Sequence, residues 1–225
     1  TLVTGGLTTI DADSDSVGDD GDLNVADGAT LGDGTQVLDV MANDVLLNTS
    51  GMLLGTAVSI TDSVGDGIAV EHAVVGIDMN NADAELGQIT ASTGLTLNTG
   101  GDITVDGITY PNSDTVNLVT LDSGSSINFS TAASTFDSLD ADADDGIALN
   151  VDVSSDEGGL SFDGDANDAA DTTDDVTIAA GVTLTAAGGG ITGSVTLDAT
   201  TGGITTAAGY TVNAESGINV NDNFT

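Results

Sequence analysis

The sequence predicts an all-β chain: a parallel β-solenoid over residues 91–225, preceded by an irregular β section or cap with Asp-rich loops over residues 1–90. Three observations carry this. Short aliphatic–polar–aliphatic triplets recur along the chain, and period-two alternation of β-branched residues reads as short strands with one buried face. The segments between triplets are Gly, Asn and Asp, which is turn chemistry. Hydrophobic residues make up 39% of the chain but aromatics only 3%, so the core must be thin and aliphatic.

Taken in order, the early triplets are LNV at 23–25 and VSI at 58–60, with wide Asp-rich gaps between them. The segment 69–86 is the best helix candidate, and Gly76 with the polar pair Asn80 and Asn81 breaks it. LTL at 95–97, ITV at 103–105 and INF at 127–129 follow at closer spacing. The last third is densest, with VTI 176–178, VTL 182–184, VTL 195–197, YTV 210–212 and INV 218–220. A sandwich places a turn every 8–12 residues and relies on a bulky core. Here Val176 to Val195 is 19 residues, Val182 to Ile204 is 22, and Ile191 to Tyr210 is 19. Such spacing predicts a coil of about 20 residues with three short strands, stacking Val, Ile and Leu of one coil on the next. Six or seven coils are expected over 91–225.

Composition limits function. The chain has no Lys, no Arg, no Cys and one His, against 37 acidic residues, for a net charge of −37. Carboxylates repel nucleic acid and anionic membranes, so nucleic acid is an unsuitable partner and cations are the natural ones. The apolar runs are too short to insert in a membrane. High charge and six aromatics favour disorder, whereas Val, Ile and Leu spread throughout favour a packed chain. Without Cys there is no disulfide, iron–sulfur cluster or thiolate zinc site, a pattern that fits a bacterial or archaeal exterior. Residue 1 is Thr, so a processed or excised chain is expected, with any secretion signal outside this stretch.

Asp outnumbers Glu by 33 to 4, which points to turns and oxygen-ligand loops. Three clusters alternate acidic residues as Asp-x-Asp-x-(Asp/Asn): Asp11, Asp13 and Asp15; Asp140, Asp142 and Asp144; Asp163, Asp165 and Asn167. Curled round a hard cation, such a loop presents its oxygens to Ca²⁺, and these nine residues are the candidate ligands. None is an EF-hand. The loop's sixth position wants Gly and holds Ser16, Asp145 or Asp168, and its twelfth wants Glu and holds Asp22, Val151 or Asp174. The competing reading is a solvated acidic loop. Asp19, Asp20 and Asp22, and Asp171, Asp174 and Asp175, must either tolerate mutual repulsion or bind cations. Asp137 and Asp222 are weaker ligand candidates.

Catalysis finds little support. His72, flanked by Glu71 and Asp66, is the single His and reads as a strand or surface residue. A polysaccharide-acting enzyme needs two acids beside a sugar platform. Phe129, Phe136, Phe162, Phe224, Tyr110 and Tyr210 show no clustering in sequence, and no Lys or Arg is present to hold an acidic sugar. The sequons at Asn48, Asn128 and Asn223 are no more than this composition provides by chance.

The segments GLTLNTGGDITVDG (94–107) and VTLTAAGGGITGSVTLDATTGGITTAAGYTVNAESGINV (182–220) resemble the filamentous-haemagglutinin-like and autotransporter-like repeats of large bacterial surface proteins. That resemblance implies right-handed parallel β-helices with roles in adhesion, matrix or surface layers. VLDVMANDV (37–45) is similar to the opening of bacterial cadherin-like tandem modules. Both families usually keep some Lys and Arg, and this chain has none. The expectation is a non-enzymatic structural subunit of an extracellular filament, sheath or surface layer, stabilised by Ca²⁺. It would partner copies of itself or neighbouring modules of a longer chain. The alternatives are an adhesive or ligand-binding stalk module and, third, a polysaccharide-acting β-helix enzyme.

Overall fold

A computed structural model describes residues 6–12, 23–42, 44–47, 52–62, 69–71, 79–80, 89–99, 101–107, 109–110, 115–120, 124–169, 173–187 and 193–224. Every strand pairing among them is parallel, and the strands stack as coils of a solenoid. The first coils hold β1 (Leu7–Asp11), β2 (Leu23–Val25), β3 (Thr30–Gly32), β4 (Val37–Ala42), β5 (Asp44–Leu47), β6 (Met52–Asp62), β7 (Ala69–Glu71) and β8 (Met79–Asn80). Regular three-strand coils then begin with β9 (Ile89–Thr99), β10 (Ile103–Asp106) and β11 (Thr109–Tyr110). Next come β12 (Val116–Thr120), β13 (Ile127–Ser130) and β14 (Ser134–Phe136), then β15 (Leu139–Ala143), β16 (Ile147–Leu149) and β17 (Val153–Ser155). β18 (Leu160–Asp163), β19 (Val176–Ile178) and β20 (Thr183–Ala186) precede β21 (Ser194–Asp198), β22 (Ile204–Thr206) and β23 (Thr211–Ala214), and β24 (Gly217–Val220) opens a further coil.

The first strand of each coil joins a long sheet ordered β1-β4-β6-β9-β12-β15-β18-β21-β24, with β3 also pairing β6. The second strands form a sheet from β8 and β10 through β13, β16 and β19 to β22, and the third strands a sheet from β11 to β23. In the earliest coils β2, β5 and β7 make a separate three-stranded sheet. The long sheet runs through residue 90 without interruption, because β6 pairs β9 from Leu53↔Ile89 to Thr61↔Asn98 across an irregularity at Gly55/Ala57. Val37–Ala42, which begins the cadherin-like stretch, is paired in parallel on both sides.

Alternation explains the packing. β12 and β15 each bury every second residue, and parallel register places like on like. One stack runs Thr8, Leu38, Val58, Leu95, Val116, Leu139, Leu160, Val195, Ile218. A second runs Ile10, Val40, Ile60, Leu97, Leu118, Ala141, Phe162, Leu197, Val220. Outward residues form polar ladders: Asn117 donates to Thr96 Oγ1 at 3.2 Å, and Asn150 donates to Asn128 Oδ1 at 2.9 Å.

Two expectations need correction. The spaced pairs are not the repeats: Val176 stacks on Ile204, and Val195 lies between Leu160 and Ile218. Triplet spacing alone could not tell a strand's neighbour in its own coil from its neighbour in the next. Five described coils run from β9 to β23, and β24 with the parallel Ile204↔Phe224 bridge begins a sixth. From Leu95 to Ile218 the coils are 21 to 23 residues long except the one from Leu160 to Val195, which holds the acidic residues that follow Asp163. Aromatics also cluster. Tyr110, Phe129, Phe136 and Phe162 are fully buried, Tyr110 stacks in register on Phe136, and Phe129 meets Phe162 edge-on at 5.8 Å.

Candidate cation-binding corner

Each coil turns from the long sheet into the second sheet at one corner. After β12 that corner holds Gly124 and Ser125; after β15, Asp144, Asp145 and Gly146. After β18 it holds Gly164, Asp165 and the return through Asp174 and Asp175, and after β21 the run Ala199, Thr200, Thr201, Gly202 and Gly203. Backbone bonds lay these turns on one another: Asp145 N donates to Ser125 O at 2.9 Å, Ala166 N to Ala143 O at 2.9 Å, and Val176 N to Gly203 O at 3.1 Å. Glycine lets the chain pass this closely. A Cβ on Gly202 would strike the Asp174 backbone, and one on Gly164 would lie 3.1 Å from Asp175 O.

Two groups of carboxylates result. The first is a ladder on the outer face of the long sheet, where Asp142, Asp163 and Asp198 are register partners on three successive strands. Neighbouring rungs are about 4.8 Å apart, so adjacent charges repel by about 1 kcal/mol even in bulk water. Partial burial, with Asp140 and Asp163 alongside, pushes the Asp142 carboxyl up to about 6. Burial raises Asp163 as well, with Asp198, Asp165 and Asp168 adding to the rise, while the Asp165 N–H bonded to its Oδ1 at 3.1 Å opposes it. At the ladder's end Asn221 Nδ2 donates to Asp198 Oδ2 at 2.8 Å.

The second group lies inside the corner. Asp144 and Asp165 are 0% exposed and Asp174 is 5% exposed. Asp144 Oδ2 accepts from Gly124 N at 3.2 Å. Asp165 Oδ2 accepts from Thr201 N at 2.7 Å, and Thr201 Oγ1 lies 2.7 Å from that oxygen and 2.9 Å from Asp174 Oδ2. Asp144 Oδ1 and Asp165 Oδ1 are buried with no hydrogen-bond partner among the described residues. Beside them Asp175 accepts from Gly203 N at 2.8 Å and from Thr205 Oγ1 at 3.2 Å.

The sequence triplets are therefore divided. Asp140 and Asp142 point outward from a straight strand, and Asp144 turns in at its end. Asp163 caps its strand outside, Asp165 is inside, and exposed Asn167 accepts from Ala169 N at 2.6 Å in a local turn. Asp11 is exposed on β1, and Asp13 and Asp15 lie outside the described residues, as do Asp66 and His72. Asp140 and Asp142 share one extended strand, on which alternate residues stand nearly 7 Å apart. The residues brought together come from successive coils. Asp174, with Asp171 and Asp175, stands out in the sequence as a carboxylate that must tolerate repulsion or bind a cation, whereas Thr201 carries no motif in ATTGG.

Among the described residues, no group of three or more His, Cys, Asp or Glu side chains forms a metal cluster, so any cation here needs hydroxyl, carbonyl or water oxygens beside the carboxylates. Compared with protein-family models, curated proteins and solved structures, the chain matches none.

Proposed function

We propose that the chain is a structural segment of an extracellular filament, sheath or surface layer. In this reading copies of the chain continue the solenoid end to end, and divalent cations, Ca²⁺ foremost, neutralise its carboxylates. The supporting observation is the state of the two apolar stacks. They start at Thr8 and Ile10 on β1 and finish at Ile218 and Val220 on β24. Ile218 is 49% exposed and Val220 is 39% exposed, and Phe224, stacked on Tyr210, is 45% exposed. A second copy laid with its β1 on β24 would set Thr8 on Ile218 and Ile10 on Val220, and would pair two open ladder edges. A chain without Cys, Lys or Arg suits a durable exterior material, and the resemblance to bacterial surface repeats agrees with it.

The test is light scattering and electron microscopy across a Ca²⁺ titration. Rods that lengthen with Ca²⁺ are expected. The double variant Ile218→Asp, Val220→Asp should stay monomeric while melting close to the parent. A parent that remains monomeric through millimolar Ca²⁺ at high concentration would overturn the polymer and leave a stalk module, whose end is covered by neighbouring parts of a longer polypeptide.

A further inference from the structure

We infer that the corner formed by Asp165, Asp174 and Thr201 binds one divalent cation of the calcium type, with two carboxylates from one coil and a hydroxyl from the next. The inference rests on, and deepens, the cation part of the structural reading above. Two carboxylates, Asp165 and Asp174, lie in the corner with at most 5% exposure. Ionised carboxylates removed from water cost several kcal/mol each unless compensated, and the chain has no Lys or Arg to compensate them.

Hydrogen bonds do not complete the corner either. Thr201 Oγ1 carries one hydrogen but stands within hydrogen-bond distance of both Asp165 Oδ2 and Asp174 Oδ2. Donating to one carboxylate leaves a lone pair facing the other. Asp165 Oδ1 is buried without a hydrogen-bond partner among the described residues. What is missing is positive charge beside these oxygens. A bound cation supplies it, and the Thr201 hydroxyl then serves as a ligand or as a donor to one carboxylate alone.

Ligand type selects the ion. The donors are carboxylate and hydroxyl oxygens, and no imidazole or thiolate is described in this corner. Hard oxygen donors in an irregular set suit Ca²⁺, which takes 6–8 ligands in flexible geometry, better than Mg²⁺ with its strict octahedron, and exclude a typical zinc site. The outer ladder of Asp142, Asp163 and Asp198 would bind cations too, but diffusely and in competition with water.

Calorimetric titration of Ca²⁺ into chelator-treated, dilute, monomeric protein tests the site apart from assembly. One saturable tight site per chain is expected above a weak background from the surface carboxylates. Asp165→Asn should abolish it and Thr201→Val should weaken it about tenfold or more, while Asp156→Asn, on an exposed residue elsewhere, should leave it intact. Circular dichroism confirms that each variant is folded, and the parent titration is decisive even if a variant is not. Absence of a tight site in the parent, or its survival in Asp165→Asn, would overturn the inference. An infrared protonated-carboxyl band at neutral pH that disappears in Asp165→Asn would overturn it as well, by putting a proton where the cation is proposed. Tight binding without rods would sink the polymer but keep the site, and rods without tight binding would do the reverse.

Discussion

Single residues in this solenoid are judged by what the next coil puts against them. Gly146 has φ +102°, and an added Cβ would strike Thr173 O. Gly181 has φ +80° with nothing near. Gly181→Ala should therefore cost only the left-handed penalty of about 1–2 kcal/mol, and Gly146→Ala distinctly more, as paired chemical denaturations would read. Thr131 is the opposite case: an exposed β-branched residue held at φ 59°. Thr131→Gly should stabilise the chain by about 1 kcal/mol.

Asp142 gives the pH signature at the same scale. Its carboxyl is raised from 3.8 to about 6, first by burial and then by Asp140 and Asp163. The folded chain thus holds this proton more tightly than the unfolded chain. The stability it contributes is complete below about 3.8 and is lost as pH rises through about 6. In chelator, Asp142→Asn should melt higher than the parent above pH 6 and alongside it near pH 3, by no more than ~1 kcal/mol because the group is partly solvated and screened. A gain that persists unchanged at low pH would refute this cause.

At the scale of strands, cohesion comes from unlike volumes in one stack. Ala141 lies between Leu118 and Phe162 in register, and Phe162 reaches the edge of Phe129 on the second sheet. Both rings are 0% exposed. Phe162→Ala removes the edge contact and opens a cavity that the flanking strands cannot close, so a loss of about 3–5 kcal/mol is expected in equilibrium unfolding. Burial together with the nearby Asp137 charge pushes the Tyr110 phenol far above its ordinary range, so that ring stays neutral in its stack on Phe136.

For the whole molecule, each coil touches only its neighbours, which makes stability a sum along one axis. β15 and β18 are covered on both sides, whereas β24 has β21 on one side and every residue exposed. Hydrogen exchange should therefore be slowest in β12 to β18 and fastest in β24. Equal protection along the chain would contradict additive coils. Cations act on the same axis. A site filled at a hundredfold excess over its dissociation constant adds about 2.7 kcal/mol. Melting should accordingly rise with Ca²⁺ beyond the effect of monovalent salt at equal ionic strength.

Legibility followed the range of the interaction. Triplets such as INF at 127–129 and VTI at 176–178 disclosed strands, inward faces and the parallel stacking of coils, because alternation and turn chemistry are local and a thin aliphatic core admits few folds. Register was decided only by tertiary structure. Whether Val176 sits on Val195 or on Ile204 depends on how many residues lie between Asp163 and Val176 and between Ala186 and Val195, and that number does not change strand patterning. The candidate site divides the same way. Acidic character at Asp144 and Asp165 was plain in the sequence, but the grouping into Asp-x-Asp loops followed chain order. Stacking instead separates Asp142 from Asp144 across the wall of the solenoid and brings Thr201 of one coil against Asp165 and Asp174 of the coil before. Sequence determines which residues alternate and which carry charge; only coil stacking determines which carboxylates share a buried corner.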